Sequence, residues 1–213
     1  MPKGSEELTN ARKEEIINAC ASLYETMGFK DITIRDIGAE TSFTRTSIYN
    51  YFQTKEEIFL ALLRREHIAW IKDLEKIIAE NDTLSATGFA DALARTLDAR
   101  ECMLRLMSMN IYDMEGNSRL ENLASFKKVY SCAMRTLTGC LEKFFPRMDA
   151  DDREEFLYTF FPFMFGIYPY TSVTEKQKQA MDIAHVDYPR YSVYEITKMF
   201  AEKMLRIYEE TEN

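Results

Sequence analysis

The sequence predicts an all-α protein, with three short helices at the N-terminus and a larger set of longer helices after them. Three observations predict it. Apolar residues recur at helical spacing along nearly the whole chain, and no stretch keeps the alternation of a half-buried strand. Five hydroxyl residues stand three places before an acid or Gln, the pattern of a helix-opening capping box: Thr33/Asp36, Thr54/Glu57, Ser118/Glu121, Thr174/Gln177 and Ser192/Glu195. Seven Gly and five Pro in 213 residues are too few for long irregular connections.

The first helix is expected from about Thr9 to Met27. Ile16, Ile17, Cys20, Tyr24 and Met27 form its inner stripe, and Gly28 closes it as a left-handed cap. A second helix runs from about Ile34 to Glu40 and a third from about Arg45 to Phe52. A fourth begins at Lys55 and reaches Glu80, because Phe59, Leu62, Leu63, Trp70, Leu74, Ile77 and Ile78 keep one stripe over that distance. Further helices are expected near 84–99, 101–113, 118–145, 151–171, 174–185 and 192–210. Breaks fall at Asn81-Asp82, Glu115-Gly116-Asn117, Pro146 and Asp187-Tyr188-Pro189. This divides the chain into a unit over residues 1–53 and a second over 54–213.

Composition excludes several classes. No run of 18 apolar residues occurs, so no membrane span is expected, and the N-terminus lacks the apolar core of a signal peptide. A cytoplasmic location follows from that reading. Cys20, Cys102, Cys132 and Cys140 form no CxxC pair, and with two histidines in the chain neither a metal site nor a cofactor is expected. Asp182 and His185 stand at i, i+3, but a bundle metal site needs more carboxylates and a second such pair. With no nucleophile motif and no phosphate-cradling Gly loop, no catalytic residue is assigned and no enzyme is expected.

Thr41–Lys55 carries no acid at all, in a chain with 35. It holds eight hydroxyl side chains (Thr41, Ser42, Thr44, Thr46, Ser47, Tyr49, Tyr51 and Thr54), with Arg45 and Lys55 as its cations. Such a surface suits a polyanion. The net charge of −8 opposes that only superficially. Residues 1–65 hold 9 basic and 10 acidic residues, net −1, and the remainder carries net −7. A local basic face releases counterions from DNA even when the rest of a molecule repels it.

On a helical wheel of 45–52, Ile48 and Phe52 share one face and point into a three-helix core with Ile37 and Phe43. Thr46, Ser47 and Asn50 lie opposite, flanked by Tyr49 and Tyr51. Base edges in the major groove are read by donors and acceptors of this length, and the amide of Asn50 suits adenine. Lys55 opens a helix whose free N–H groups favour a phosphate.

In these residues the chain closely resembles the TetR family of bacterial transcriptional regulators. The resemblance is carried by Thr33, the run Ile37-Gly38-Ala39, and the turn Ser42-Phe43-Thr44. It continues through Arg45-Thr46-Ser47-Ile48-Tyr49-Asn50-Tyr51-Phe52 and Thr54-Lys55-Glu56-Glu57, covering about Thr9–Leu63. It implies a helix-turn-helix DNA-binding domain. Arg45, Thr46, Ser47 and Tyr49 would approach bases or adjacent phosphates, joined by Arg35. Thr33, Thr44, Tyr51 and Lys55 would hold the DNA backbone. Two positions depart from the family. Ser42 stands where Gly is usual and the turn favours a left-handed residue, and Thr46 stands where Gly is frequent.

The second half is rich in Met and aromatic residues. Met103, Met107 and Tyr112 fall in one predicted helix, Phe126, Tyr130 and Met134 in the next, and Phe163 and Tyr168 in a third. Adaptable Met-rich surfaces line apolar pockets, although for any one of these residues plain core packing is the simpler reading. The resemblance implies a small-molecule sensor in this half, its effector unidentified. Tyr158–Tyr170 has seven aromatics in thirteen residues and is apolar on nearly all sides, so more than one of its faces must be covered. Pro162 and Pro169 each remove a hydrogen bond there and kink the helix. The helices near 151–171 and 192–210 are therefore expected to pair with those of a second copy, as the resemblance also implies. A homodimer suits a palindromic double-stranded DNA operator with half-sites about 34–36 Å apart. The expected activity is a ligand-released repressor. The alternative is a helix-turn-helix protein that senses no small molecule and answers to a protein partner.

Overall fold

The computed structural model describes residues 3–186 and 191–209. Among them the chain forms ten α-helices and a closing 3₁₀ turn, with no strand. The helices are α1 (Lys3–Thr26), α2 (Ile34–Ala39), α3 (Arg45–Ile48), α4 (Lys55–Glu80) and α5 (Ala86–Asp98). They continue as α6 (Glu101–Gly116), α7 (Leu120–Phe144), α8 (Ala150–Thr171), α9 (Glu175–Ile183) and α10 (Val193–Leu205), before the turn Arg206–Tyr208. The break expected at Asp187-Tyr188-Pro189 lies outside the described residues.

Two compact units emerge. One takes the chain up to Arg65 together with Asn110–Val129; the other takes Glu66–Met109 and the chain from Tyr130 onward. A boundary at residue 53 leaves out two parts of the first unit: the opening turns of α4, and the junction between α6 and α7.

The first unit is built on the expected stripe of α1. Ile16, Ile17, Cys20 and Tyr24 are buried with Ile32, Ile37, Ile48, Phe52, Phe59, Leu62 and Leu63. The Tyr24 ring meets the Phe59 ring edge-on at 5.2 Å, and its hydroxyl donates to Asn110 Oδ1 at 3.1 Å. A buried phenol needs such a partner. Gly28 is not the left-handed cap expected, since no described glycine has a positive φ. A Cβ there would stand 2.7 Å from the Asp31 carboxylate, the exposed end of a side chain that can move aside, so the turn does not demand glycine on that ground.

Gly38 has a role in the packing run. A Cβ on it would lie 3.3 Å from Arg45 Cα and 3.5 Å from Ile48 Cδ1, so α2 and α3 cross there at close range. Gly38→Val is expected to cost about 1–3 kcal/mol by overpacking that crossing. A urea unfolding curve with an unchanged midpoint would contradict it.

In the second unit α5 turns Ala86, Phe89, Ala90, Leu93, Ala94 and Leu97 inward, and α10 packs against it with Thr197, Ala201 and Leu205. Trp70 is fully buried and its indole N–H donates to Thr96 Oγ1 at 3.0 Å. α8 runs through both Pro162 and Pro169 as one helix, burying Phe156, Phe160, Phe161, Met164 and Ile167. It opens on a capping box the sequence reading missed, Asp149 with Asp152. The boxes at Thr33/Asp36, Thr174/Gln177 and Ser192/Glu195 form as expected. Two others do not. The Ser118 hydroxyl makes no hydrogen bond, and α7 begins at Leu120. Thr54 takes the N–H of Glu57, but the Glu57 carboxylate turns away to other partners.

Candidate nucleic-acid interface

α2 opens at Thr33. Its hydroxyl and N–H both donate to Asp36 Oδ2, at 2.6 and 2.9 Å, and its oxygen accepts the Asp36 N–H. The Thr33 hydroxyl holds the Asp36 carboxyl below the usual carboxylate range, and the Thr33 N–H adds to the effect. After α2 the chain turns on Thr41, whose hydroxyl lies within bonding distance of the Gly38 and Phe43 carbonyls. Ser42 is not in the left-handed region expected from the family's glycine. Its N–H instead donates to the Glu15 carboxylate of α1, which pins the turn without demanding a positive φ.

α3 is shorter than expected, four residues rather than eight. The chain keeps turning past it: the N–H groups of Asn50, Tyr51 and Phe52 return to the carbonyls of Ser47 and Ile48. The expected wheel is thereby preserved. Ile48 and Phe52 are buried, and Phe43 is half-buried under the Arg12 guanidinium. Thr44, Arg45, Thr46, Tyr49 and Asn50 are exposed, as are Thr33 and Arg35, while Ser47 and Tyr51 are half-exposed. The exposed groups are partly organised among themselves. Arg45 Nη2 donates to the Tyr49 hydroxyl at 3.3 Å, and the hydroxyls of Thr44 and Ser47 are hydrogen-bonded at 3.1 Å. Arg12 donates to the Tyr51 hydroxyl at 3.2 Å.

Lys55 departs most from its expected role. Its ammonium donates to the carbonyls of Phe29, Ile32 and Lys30 at 2.7, 3.0 and 3.4 Å, and lies 4.7 Å from the centre of the Phe29 ring. A compact ammonium with three donors is satisfied by three carbonyls. It therefore staples the α1–α2 loop rather than standing ready for a phosphate. Lys55→Ala is expected to cost about 1–3 kcal/mol of stability through those charge-assisted bonds. A thermal melt identical to that of the parent would contradict the staple.

By its spacing from Thr54, Glu57 is expected to close a capping box. It is 1% exposed, and its carboxylate accepts the N–H of Gln53 at 2.8 Å, the N–H of Arg119 at 3.0 Å, and Arg119 Nε and Nη2 at 2.6 and 2.9 Å. Burial pushes the carboxyl up. The Arg119 side chain and the two N–H donors outweigh burial and bring it down to about 2. A carboxyl depressed on folding contributes stability above its ordinary value of 4.5, and that contribution is lost as pH falls toward 2. Unfolding free energy should therefore fall over that range, and less steeply in Glu57→Gln. Equal slopes would contradict the linkage. Arg12, Glu15 and Arg119 were all missed. Each acts across 27 or more positions, and nothing in one sequence marks such a pairing.

The residues singled out in the second half do not form one set. Met103 and Met107 are buried and Tyr130, Met134, Phe163 and Tyr168 half-buried, all in the second unit; Tyr112 and Phe126 belong to the first. Tyr112 is 89% exposed, because Met103, Met107 and Met114 take the inner face of α6 and residue 112 falls on the other. Phe163 is stacked on Phe200 at 4.3 Å, which commits it to the α8–α10 contact. Inside the second unit, Tyr130 stands 5.8 Å from the His67 ring and 5.2 Å from Phe161, which meets Trp70. A cavity of about 620 Å³ lies elsewhere in this unit, lined by Leu84, Lys143, Phe144, Phe145, Arg147 and Tyr208 among others, and by none of the eight residues expected.

The exposed polar face on α3, backed by Ile48 and Phe52 and entered through a tight turn from α2, defines the class: an all-α helix-turn-helix protein. Comparison with known proteins makes this particular. Residues 16–62 match the family model for bacterial regulatory proteins of the tetR family, and residues 64–202 match a tetracyclin repressor-like C-terminal domain. The chain belongs to the TetR family of bacterial transcriptional regulators.

The HTH-type transcriptional regulator YfiR of Bacillus subtilis is 29% identical over 98 residues, 45% of this chain and 47% of that protein. The HTH-type transcriptional repressor Rv1474c of Mycobacterium tuberculosis is 30% identical over 101 residues, 46% of this chain and 54% of that one. The chain thus spans about half the length of the curated relatives it matches. Among solved structures, the fatty acid degradation regulator FadR of Bacillus halodurans shares the fold with a TM-score of 0.60 at 13% identity, over 91% of this chain and 94% of that one. FadR of Bacillus subtilis in complex with stearoyl-CoA gives 0.59 at 15%, over 90% and 96%.

Proposed function

We propose that the chain is a DNA-binding repressor that reads a palindromic operator as a homodimer and is released by a small molecule held in its second unit. The observation that carries this is the reading face. Arg45, Thr46, Tyr49 and Asn50 are exposed on an acid-free segment whose opposite side is locked into the core by Ile48 and Phe52. Arg45, Thr46, Ser47, Tyr49 and Asn50 meet bases or nearby phosphates, with Arg35 beside them. Thr33, Thr44 and Tyr51 hold the backbone, Tyr51 with the help of Arg12. Lys55 serves this surface indirectly, by fixing the loop that precedes α2.

Dimerisation through α8 and α10 is supported by what those helices leave uncovered: Tyr158 and Tyr170 are 68% and 79% exposed, and Met199 is 40% exposed. Large apolar groups in such numbers on two neighbouring helices favour a partner of the same kind. α4 runs unbroken from Lys55 to Glu80 and contributes to both units, which suits it to carry a ligand-dependent population shift. Among the described residues no helix is long and apolar enough to cross a membrane.

A footprint on DNA flanking the protein's own gene, repeated across a salt series, tests binding. Protection that weakens steeply with salt is expected, and its absence at low salt would count against the proposal. Thermal shifts with apolar compounds, cationic compounds and stearoyl-CoA, which the Bacillus subtilis FadR structure holds, test sensing. Stabilisation by none of these classes would favour the alternative, a DNA-binding protein controlled by a protein partner.

A further inference from the structure

The residues that leave the reading helix are gripped from a distant part of the chain. The junction between α6 and α7, residues 117–119, makes the grip, and the residues it grips, Tyr51, Thr54 and Glu57, belong with it to the first unit. Arg119 meets the buried Glu57 carboxylate through the Nε/Nη2 edge of its guanidinium, one bond to each oxygen, and through its own N–H. The same guanidinium reaches the Tyr51 carbonyl at 3.4 Å, and the Thr54 hydroxyl donates to the Asn117 carbonyl at 3.0 Å. Glu57 in turn holds the N–H of Gln53. Every residue from Tyr51 to Thr54 except Phe52 is therefore bonded to the junction directly or through one carboxylate, and Phe52 is buried.

A capping box at Thr54 would have closed this helix start locally, and the chain has the residues for it. Instead it commits a fully buried charge to a partner 62 positions away. Buried ion pairs are a poor means of gaining stability, since well-packed apolar residues do as well. What a bidentate guanidinium supplies is geometry: it fixes one orientation of the carboxylate, and through it one position of Gln53.

We propose that Arg119 is a positioning residue for DNA reading: the α6–α7 junction sets the exit of the reading helix through Glu57, and loosening the junction frees that helix. The inference rests on the proposed DNA-binding function for its consequence, but not for its geometry.

The test uses the full chain. Amide hydrogen exchange without DNA is read for the parent, for Arg119→Ala and Arg119→Lys, and for the double variant Glu57→Leu/Arg119→Met. Affinity for a selected duplex is measured alongside. In Arg119→Ala, exchange at Gln53 rises at least tenfold while amides of α5 and α10 stay as in the parent, and DNA affinity falls tenfold or more. Arg119→Lys, which keeps charge but loses the fork, recovers only part of either. The double variant leaves no unpaired charge, so it regains the parent's melting temperature but neither Gln53 protection nor affinity. Gln53 exchange unchanged in Arg119→Ala, or a double variant that regains protection and affinity together with stability, overturns the proposal. A parent that binds no duplex sinks the DNA-binding function instead, and the exchange result still stands or falls by itself.

Discussion

Trp70→Ala destabilises the second unit by about 3–5 kcal/mol, the cost of emptying a large aromatic site that the surroundings refill only in part. The magnitude follows from the position. Trp70 is 0% exposed, packs edge-on toward Phe161 at 6.0 Å, and spends its one donor on Thr96 Oγ1. The Thr96 hydroxyl donates to the Leu93 carbonyl at 2.7 Å, so truncation also leaves a threonine oxygen without its donor. Denaturant unfolding followed by far-UV circular dichroism measures it. A loss below about 1 kcal/mol would mean that the site collapses around the gap, contrary to a core packed at native density.

Asn50→Ala and Arg45→Ala each cost about 1–3 kcal/mol of discrimination between a preferred duplex and a random one, with little effect on stability. Both side chains are exposed, so neither substitution opens a cavity or strands a buried group. Arg45 is already oriented by its bond to Tyr49, which reduces the ordering cost when it meets a base. Titrations of each variant with both duplexes, at one fixed salt concentration, separate loss of reading from loss of general attraction. Parallel weakening on both duplexes would place these residues on phosphates instead, and unchanged binding would move the reading face off α3.

The features legible in the sequence were those set by local periodicity. Most long helices lie close to where their apolar stripes put them, although α1 begins at Lys3 rather than near Thr9 and α10 ends at Leu205 rather than near residue 210; the buried side of the reading helix, Ile48 and Phe52, is the one the wheel selects. The misses share one physical cause: a partner distant in sequence overrides a local preference. Ser42 has the backbone of an ordinary turn because Glu15 holds its N–H. Lys55 looks like a phosphate ligand until three carbonyls of the α1–α2 loop take up its ammonium. Glu57 fits a capping box by spacing, and Arg119 draws its carboxylate elsewhere. Tyr112 stands apart from these: sharing a helix with Met103 and Met107 does not mean sharing a face, and residue 112 lies opposite the side those methionines turn inward.

Selection of the purified protein against a pool of random duplexes, with the enriched sequences read out, tests the central claim most directly. The expected result is an inverted repeat with half-sites about one helical turn apart, lost when Arg45, Thr46 and Asn50 are replaced together by alanine. A pool that stays random through successive rounds at low salt would contradict the claim that this face reads DNA.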